Sequence, residues 1–306
     1  MKKKKEGSVL IPSSGIYNTT IYTGNGGTQS ITTLADLDTA GGLVWIKRRD
    51  SAASHALFDT ARGAENMLSS DTAAASVGTQ PFAVTSTGFT ITSSGTTNYN
   101  ANGATYVAWS FKRQPKFFDL SAVTKSAGSD AVVNFPDLAE LGMVMVKRTD
   151  STGDWYMWHR GLNPGNLFTH TNGTETAMNH FTVSGTTIIL NNGTIENGTY
   201  IVYAWAHDSS TTGNIYFGSV ANGHGATTFT IGWEPQALYY KGNGFANWTY
   251  FDTVRGDTNT TQKVLVLTYA SAEASYSNQP YPLSTGISWP GGVGPVKLLY
   301  MAIRKP

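Results

Sequence analysis

The chain has 306 residues, of which 40% are hydrophobic and only 13% are charged, so a packed core is expected and intrinsic disorder, coiled coil and collagen are excluded. Its 21 Lys and Arg against 20 Asp and Glu leave a formal net charge of +1, which argues against a nucleic-acid-binding surface over the body of the protein. No cysteine occurs, which excludes disulfides, thiolate metal sites and a cysteine nucleophile.

The N-terminus carries a basic run and then a short apolar one: Lys2, Lys3, Lys4 and Lys5, followed by Val9, Leu10 and Ile11. Three apolar residues are too few for a signal peptide or a membrane span, so we expect a protein made in a cytoplasm without a secretion signal and not inserted into a membrane. We predict an arm over residues 1–20. It is either a soluble disordered end or an assembly arm that lies on an acidic neighbouring subunit, with the apolar run adding an edge strand to that subunit.

The assembly interpretation of the arm makes a direct prediction. Deletion of residues 1–14 should leave a folded protein that no longer joins its particle, because the contact is lost while the core is not. Circular dichroism of the truncated protein and its recovery in purified particles would measure the two effects. A truncated protein that still assembles would favour the disordered end.

Three copies of one sequence repeat follow the arm, with a period of about 95 residues. Each copy begins with an apolar strand that ends in lysine, at residues 43–47, 143–147 and 237–241. A polar turn and a return strand come next, which predicts a hairpin with a bulky core aromatic at Phe58, Trp158 or Phe251. Each copy closes with an apolar strand, at residues 106–112, 200–206 and 298–304.

Short runs bounded by Ser, Gly and Asn lie between these strands, at the spacing typical of a β-sandwich, and no βαβ crossover pattern occurs. We therefore predict an all-β protein of three tandem antiparallel β-sandwich modules, jelly-roll or concanavalin-like, at residues 21–113, 114–208 and 209–306. The linkers are short and polar, which favours modules that touch one another.

The first copy contains the most recognisable segments of the chain, at residues 22–26, 42–47, 57–63, 88–90 and 106–109. Together they resemble a module of unassigned function that recurs, often in tandem, in structural and tail-associated proteins of tailed bacteriophages, many of them marine. The resemblance spans nearly the whole chain and departs from the pattern after Gly256 in the third copy. It implies a virion component built of β-sandwich modules, and it carries no catalytic or binding residues to transfer.

The motifs of common catalytic and metal sites do not occur. The six histidines include no pair at the spacing that presents two ring nitrogens to one metal ion, and the glycine clusters lack the context of a phosphate-binding loop. No Gly-x-Ser-x-Gly nucleophile motif is present. We therefore expect no enzyme activity, no metal and no cofactor.

An aspartate followed three residues later by an arginine occurs in copies one and three, as Asp59 with Arg62 and Asp252 with Arg255. One interpretation is a carboxylate–guanidinium site that binds a ligand. The interpretation we favour is a structural β-corner, in which a charge-assisted hydrogen bond ties the chain as it leaves the sheet.

Three further side chains stand three residues before the core aromatics: Trp155, Trp248 and His55. On a strand this offset places them on the opposite face from the core aromatic. They could therefore stack on a glycan, pack against the next module or subunit, or enter the core through a bulge. Stacking on a glycan predicts that Trp155→Ala and Trp248→Ala weaken binding to glycans or host cells.

These observations lead us to expect a non-enzymatic virion surface protein, with a tail-associated fibre or receptor-binding role. A capsid (head) decoration or fibre protein is the alternative, and a polysaccharide-binding or polysaccharide-degrading protein is the second. The expected partners are other virion proteins and a host-surface glycan or receptor. A homotrimer is expected from the resemblance, although three homologous modules in one chain could also imitate a trimer.

Overall fold

The structure is a computed structural model that describes residues 15–92, 96–169, 174–220, 227–242, 247–256, 261–277, 279–290 and 297–306. The lysine run Lys2–Lys5 and the apolar run Val9–Ile11 of the predicted arm lie outside the described residues. The first strand begins at Tyr17, inside the range predicted for the arm. The first module therefore starts a few residues earlier than residue 21.

The described residues are almost entirely β-structure, with 26 strands in three modules. Module 1 contains β1 Tyr17–Thr23, β2 Gln29–Thr32, β3 Gly42–Arg48, β4 Ala56–Asp59, β5 Met67–Leu68, β6 Phe82–Thr85, β7 Gly88–Ile91 and β8 Thr105–Lys112. Module 2 contains β9 Phe118–Lys125, β10 Ala131–Asn134, β11 Leu141–Arg148, β12 Trp155–His159, β13 Asn166–Thr169, β14 Thr176–Ala177, β15 Phe181–Ser184, β16 Thr187–Leu190 and β17 Gly198–Ala206. Module 3 contains β18 Ile215–Val220, β19 Thr227–Thr230, β20 Pro235–Gly242, β21 Thr249–Asp252, β22 Gln262–Val266, β23 Ala274–Tyr276, β24 Tyr281–Leu283, β25 Gly286–Trp289 and β26 Leu298–Arg304.

The described helical elements include one helical turn, α1, over Leu37–Ala40, and one 3-10 turn over Pro136–Leu138. Asp36 caps α1, because its Oδ1 accepts a hydrogen bond of 3.1 Å from the Thr39 backbone N–H. No helix in the described part of the chain is long and apolar enough to cross a membrane.

The three modules share one topology. Each has a large antiparallel sheet, in the orders β1-β8-β3-β4-β5, β9-β17-β11-β12-β13-β14 and β18-β26-β20-β21-β22-β23. Each also has a three-stranded sheet, in the orders β2-β7-β6, β10-β16-β15 and β19-β25-β24. The prediction of three tandem antiparallel β-sandwiches is confirmed, and the predicted repeat register holds, since Val44 pairs with Phe58, Val144 with Trp158 and Leu238 with Phe251.

The large sheets are buried on both faces. In β3, Val44 and Ile46 belong to the core between the two sheets of module 1. Leu43 and Trp45 point the other way, into a second core that contains residues of all three modules. Because successive strand residues face opposite sides, an unbroken apolar strand is what such a doubly covered sheet requires.

Each module contacts the other two through this second face. The Trp155 indole N–H of module 2 donates to the Ser69 carbonyl of module 1 at 3.1 Å. The Ser70 hydroxyl of module 1 donates to the Leu267 carbonyl of module 3 at 2.7 Å. Phe217 of module 3 packs edge-on against His159 of module 2, with ring centroids 5.5 Å apart. The first and last modules therefore close a three-module ring, in which the modules meet as the subunits of a trimer would.

One contact between modules 2 and 3 is close enough to require glycine. A Cβ added to Gly142 in β11 would overlap the buried Phe217 ring of β18. We expect Gly142→Ala to lower the free energy of unfolding by about 1–3 kcal/mol, because the ring must move in a packed core. Urea denaturation would measure the change, with Gly27→Ala as a control at a position where the new methyl meets only open space or ordinary contacts. Equal stability of the two variants would contradict the close packing.

Candidate functional site

The first β-corner is tied as the sequence predicted. The Arg62 backbone N–H donates to Asp59 Oδ1 at 2.9 Å, and Arg62 Nε donates to Asp59 Oδ2 at 2.6 Å. Asp59 is fully buried. Its Oδ2 also accepts a hydrogen bond of 2.6 Å from the Tyr203 hydroxyl of module 2. The corner thus joins two modules as well as closing a turn.

The second β-corner repeats this geometry and extends it. Arg255 Nε donates to Asp252 Oδ2 at 2.6 Å, and the Trp109 indole N–H of module 1 reaches the same oxygen at 3.3 Å. Arg255 also donates to Glu273 at 3.1 Å, and the Arg49 guanidinium of module 1 binds Glu273 through two hydrogen bonds of 3.0 Å. This chain of four charged groups fastens module 3 to module 1.

Module 2 has a histidine in place of the aspartate. His159 pairs with Met143 in the same register as Asp59 with Leu43, so the two positions are equivalent. Its Nδ1 accepts a hydrogen bond of 3.0 Å from the Gly161 N–H, which leaves the ring proton on Nε2, 3.3 Å from the Tyr300 carbonyl of module 3. The corner of module 2 is therefore fastened by a neutral imidazole.

The three side chains considered for glycan stacking are buried. Trp155 and His55 have no exposed surface and Trp248 has 1%. Trp155 and His55 bond to neighbouring modules, since Trp155 donates to Ser69 of module 1 and His55 Nε2 lies 3.1 Å from the Val266 carbonyl of module 3. Trp248 packs edge-on against Phe168 of module 2 at 6.2 Å. Stacking on a glycan is therefore wrong for these residues, and packing against another module is what the structure has.

The lysine that ends the first strand of each copy has a role that the sequence analysis did not assign. Lys47 Nζ donates to the Ala270 carbonyl of module 3 at 3.2 Å, and Lys147 Nζ to the Ala73 carbonyl of module 1 at 3.2 Å. Lys241 Nζ lies 4.9 Å above the Phe168 ring of module 2. Burial lowers the pKa of all three ammonium groups to about 8. The recurrence of a lysine at the end of the same apolar strand in all three copies is the sequence feature that could have indicated this role.

The residues chosen from the sequence thus fall at three module contacts and are not gathered into one site. A concave surface lies elsewhere, in module 2, where a groove of about 680 Å³ runs between β12 and β15. Its apolar lining includes Trp158, Leu162, Leu167 and Met178. Its polar lining includes Arg160, Asn163, Asn166, Asn179 and Thr182.

Trp158 is the partly exposed tryptophan of this groove. All eight tryptophans lie within the described residues, and the other seven are at most 4% exposed, whereas Trp158 is partly exposed. The prediction of Trp158 as a core aromatic is therefore only partly right. The sequence predicted that Trp158 is buried in the core and that Trp155 is available for contacts outside it. In the structure Trp155 is fully buried against a neighbouring module, and Trp158 is partly exposed beside the groove.

In module 1 the sandwich is closed over Phe58, the residue equivalent to Trp158. There Phe58 is fully buried, stacks on Phe82 with centroids 3.9 Å apart, and meets Tyr99 edge-on at 5.3 Å. In module 2 the corresponding residues, Trp158 and Phe181, both line the groove. Opening of the sandwich is thus a local feature of module 2 and not of the shared topology.

A smaller hollow of about 370 Å³ lies beside the contact between modules 1 and 2. Its lining includes two carboxylates, Asp154 and Glu196, together with Tyr156 and His180, whose rings stack at 4.3 Å. Glu196 forms an ion pair with Arg148. Among the residues that the structure describes, no group of three or more His, Asp or Glu side chains could hold a metal ion.

Comparison with known proteins yields one family. Two overlapping segments, residues 12–129 and 114–291, match the family described as Domain of unknown function (DUF7483). The matches together span all three modules, and their overlap includes β9, the first strand of module 2. A comparison with curated proteins found no match.

Proposed function

The chain belongs to the family described as Domain of unknown function (DUF7483), and from that premise we propose that it is a non-enzymatic attachment protein on the surface of a tailed-phage particle. The observation that carries the proposal is the open groove with its partly exposed Trp158, on a body whose other seven tryptophans are buried. An open, amphipathic groove on a body of packed modules supports binding by surface contact.

The resemblance to modules of phage structural and tail-associated proteins supplies the particle context of this proposal. The closed ring is compatible with it, because contacts among three modules in one chain hold the groove in place without a partner subunit. A capsid decoration protein remains the alternative role. The two roles differ in where the protein sits and in how many copies it has.

Quantitative mass spectrometry of purified particles, with heads and tails separated, tests the proposal. A few copies on tails would support attachment, whereas many copies on heads would favour decoration. Absence of the chain from both fractions would overturn a virion role.

Degradation of polysaccharide is a second candidate, favoured by the carboxylates of Asp154 and Glu196 in one hollow. Incubation of the purified chain with host-surface polysaccharide would test it by release of reducing ends. Release that is lost in both Asp154→Asn and Glu196→Gln would replace the attachment proposal with an enzyme, and no release would remove this candidate.

A further inference from the structure

We propose that the groove of module 2 binds a neutral saccharide, with the Trp158 ring as the stacking platform. This inference rests on the proposed attachment function and names the class of ligand and the residues that would contact it. The groove volume of about 680 Å³ lies within the range of about 300–1,000 Å³ that is usual for small-molecule sites.

The lining matches the two faces of a sugar ring. A pyranose has an apolar C–H face and a rim of hydroxyl groups, so it needs an aromatic plane together with side chains that donate and accept hydrogen bonds. Trp158 is the aromatic plane. Asn163, Asn166 and Asn179 line the same groove, and each carries an amide that can do both.

The charge of the lining favours a neutral ligand. No aspartate or glutamate lines the groove, and its one charged residue is Arg160. The Arg160 guanidinium already donates to Glu140 Oε1 at 2.6 Å. An anionic sugar would have to compete with this carboxylate, whereas a neutral sugar leaves the ion pair intact.

The lip of the groove is held in place before any ligand binds. Glu175 Oε1 accepts hydrogen bonds from the Asn163 backbone N–H at 2.6 Å and from Asn166 Nδ2 at 3.0 Å. The Met178 N–H donates to the Gly165 carbonyl at 3.2 Å. Such ordering lowers the entropy lost on binding.

Comparison of the modules shows that this opening is not needed for folding. Phe58 and Phe251 occupy the position of Trp158 in modules 1 and 3, and both are buried. A buried phenylalanine is thus compatible with this topology. Module 2 instead has the larger ring beside an open groove, which is the geometry that a stacking site requires.

The test uses the full chain and three trisaccharide probes: maltotriose and N,N′,N″-triacetylchitotriose, which are neutral, and 3′-sialyllactose, which is anionic. Tryptophan fluorescence and the indole N–H signals of the NMR spectrum would report binding. We expect at least one neutral probe to bind saturably, to shift the Trp158 indole signal and to bind more tightly than the anionic probe.

Substitutions locate the site. Trp158→Ala should weaken binding about tenfold or more, and Asn163→Ala should weaken it to a smaller extent. Trp158→Phe should keep the fold and retain part of the affinity, so it separates loss of the platform from loss of folding. Tyr276→Ala removes another exposed aromatic, on β23 of module 3, and should change nothing.

Several results would overturn the inference. These are tighter binding of the anionic probe, binding that Trp158→Ala leaves unchanged in a folded protein, and no binding of any probe at millimolar concentration.

Failure of the inference about the groove is distinguishable from failure of the proposed function. If the chain adsorbs to host cells and Trp158→Ala adsorbs equally well, attachment stands and the groove inference fails. If a neutral probe binds at Trp158 but the chain is absent from particles, the groove stands and the virion function fails.

Discussion

Replacing Arg255 by alanine should lower the free energy of unfolding by about 3–5 kcal/mol, because the substitution leaves the buried Asp252 carboxylate without its cation and leaves Glu273 paired with Arg49 alone among the arginines. Arg255 and Asp252 have no exposed side-chain surface, and the Glu273 side chain is 7% exposed. Loss of the guanidinium removes three side-chain hydrogen bonds, two to these carboxylates and one to the Tyr250 carbonyl. The Asp252 carboxylate would remain in a region that water does not reach.

Urea denaturation at neutral pH would measure this effect, and Lys305→Ala offers a matched control. Lys305 pairs with Glu234 at 2.6 Å, but both side chains are well exposed, so the control should cost no more than about 1 kcal/mol. Arg255→Lys should restore little of the loss, since an ammonium cannot reproduce the planar fork that reaches both carboxylates. Equal costs for Arg255→Ala and Lys305→Ala would show that the buried network contributes nothing.

Acidification from pH 7 to pH 5 should destabilise the ring through its buried histidines. Burial lowers the pKa of His55 and of His159 to about 3, against about 6.5 in an unfolded chain. Because the folded pKa is depressed, the unfolded state takes up protons first as the pH falls. The stabilisation that comes from keeping these two histidines neutral is fully present above pH 6.5 and is lost as the pH falls towards 3. At pH 5 the loss is about 2 kcal/mol for each histidine.

The hydrogen bonds of the buried histidines also oppose their protonation in the folded state. His55 Nδ1 accepts from the Trp45 indole N–H at 2.9 Å, and His207 Nδ1 accepts from the Phe217 N–H at 3.1 Å. Together with His159 Nδ1, each of these nitrogens faces a donor, so a proton there would break the bond. Lys47 beside His55, and Arg160 near His159 and His207, oppose protonation further.

Urea midpoints at pH 7 and pH 5 would check the acid effect. The double variant His55→Gln, His159→Gln should be less stable at pH 7 but should lose much less stability than the native chain on acidification. His180→Gln, at a partly exposed histidine on the surface of module 2, should leave the pH dependence close to that of the native chain. A native chain with the same midpoint at both pH values would contradict the prediction.

Much of the fold could be predicted because local signals agreed in three copies. The repeated Lys47, Lys147 and Lys241 set the register, and the alternating strands and turns indicated antiparallel sandwiches. The Asp–Arg spacing at Asp59 and Asp252 predicted the β-corners, since residues three apart at a chain reversal can meet without any distant contact. These features depend on short stretches of chain.

The candidate site could not be predicted in the same way. Alternation places Trp155 and Trp158 on opposite faces of β12, but it does not say what covers either face. Trp155 is buried because module 1 lies against it, and Trp158 is partly exposed because the small sheet of module 2 does not close over it. Both outcomes depend on residues far away in the chain.

The sequence by itself thus determined the all-β class, the three repeats, their register and the two charged corners, because each arises from spacing, turn chemistry and strand periodicity. Only the tertiary structure decided that the modules close a ring, that the recurring lysines and the buried His55 and His159 contact neighbouring modules, and that the groove lies at Trp158. The physical reason is that burial of a strand face is set by whatever packs on it. In a sheet covered on both faces, the strand sequence is apolar on both faces, whichever element or module packs against it.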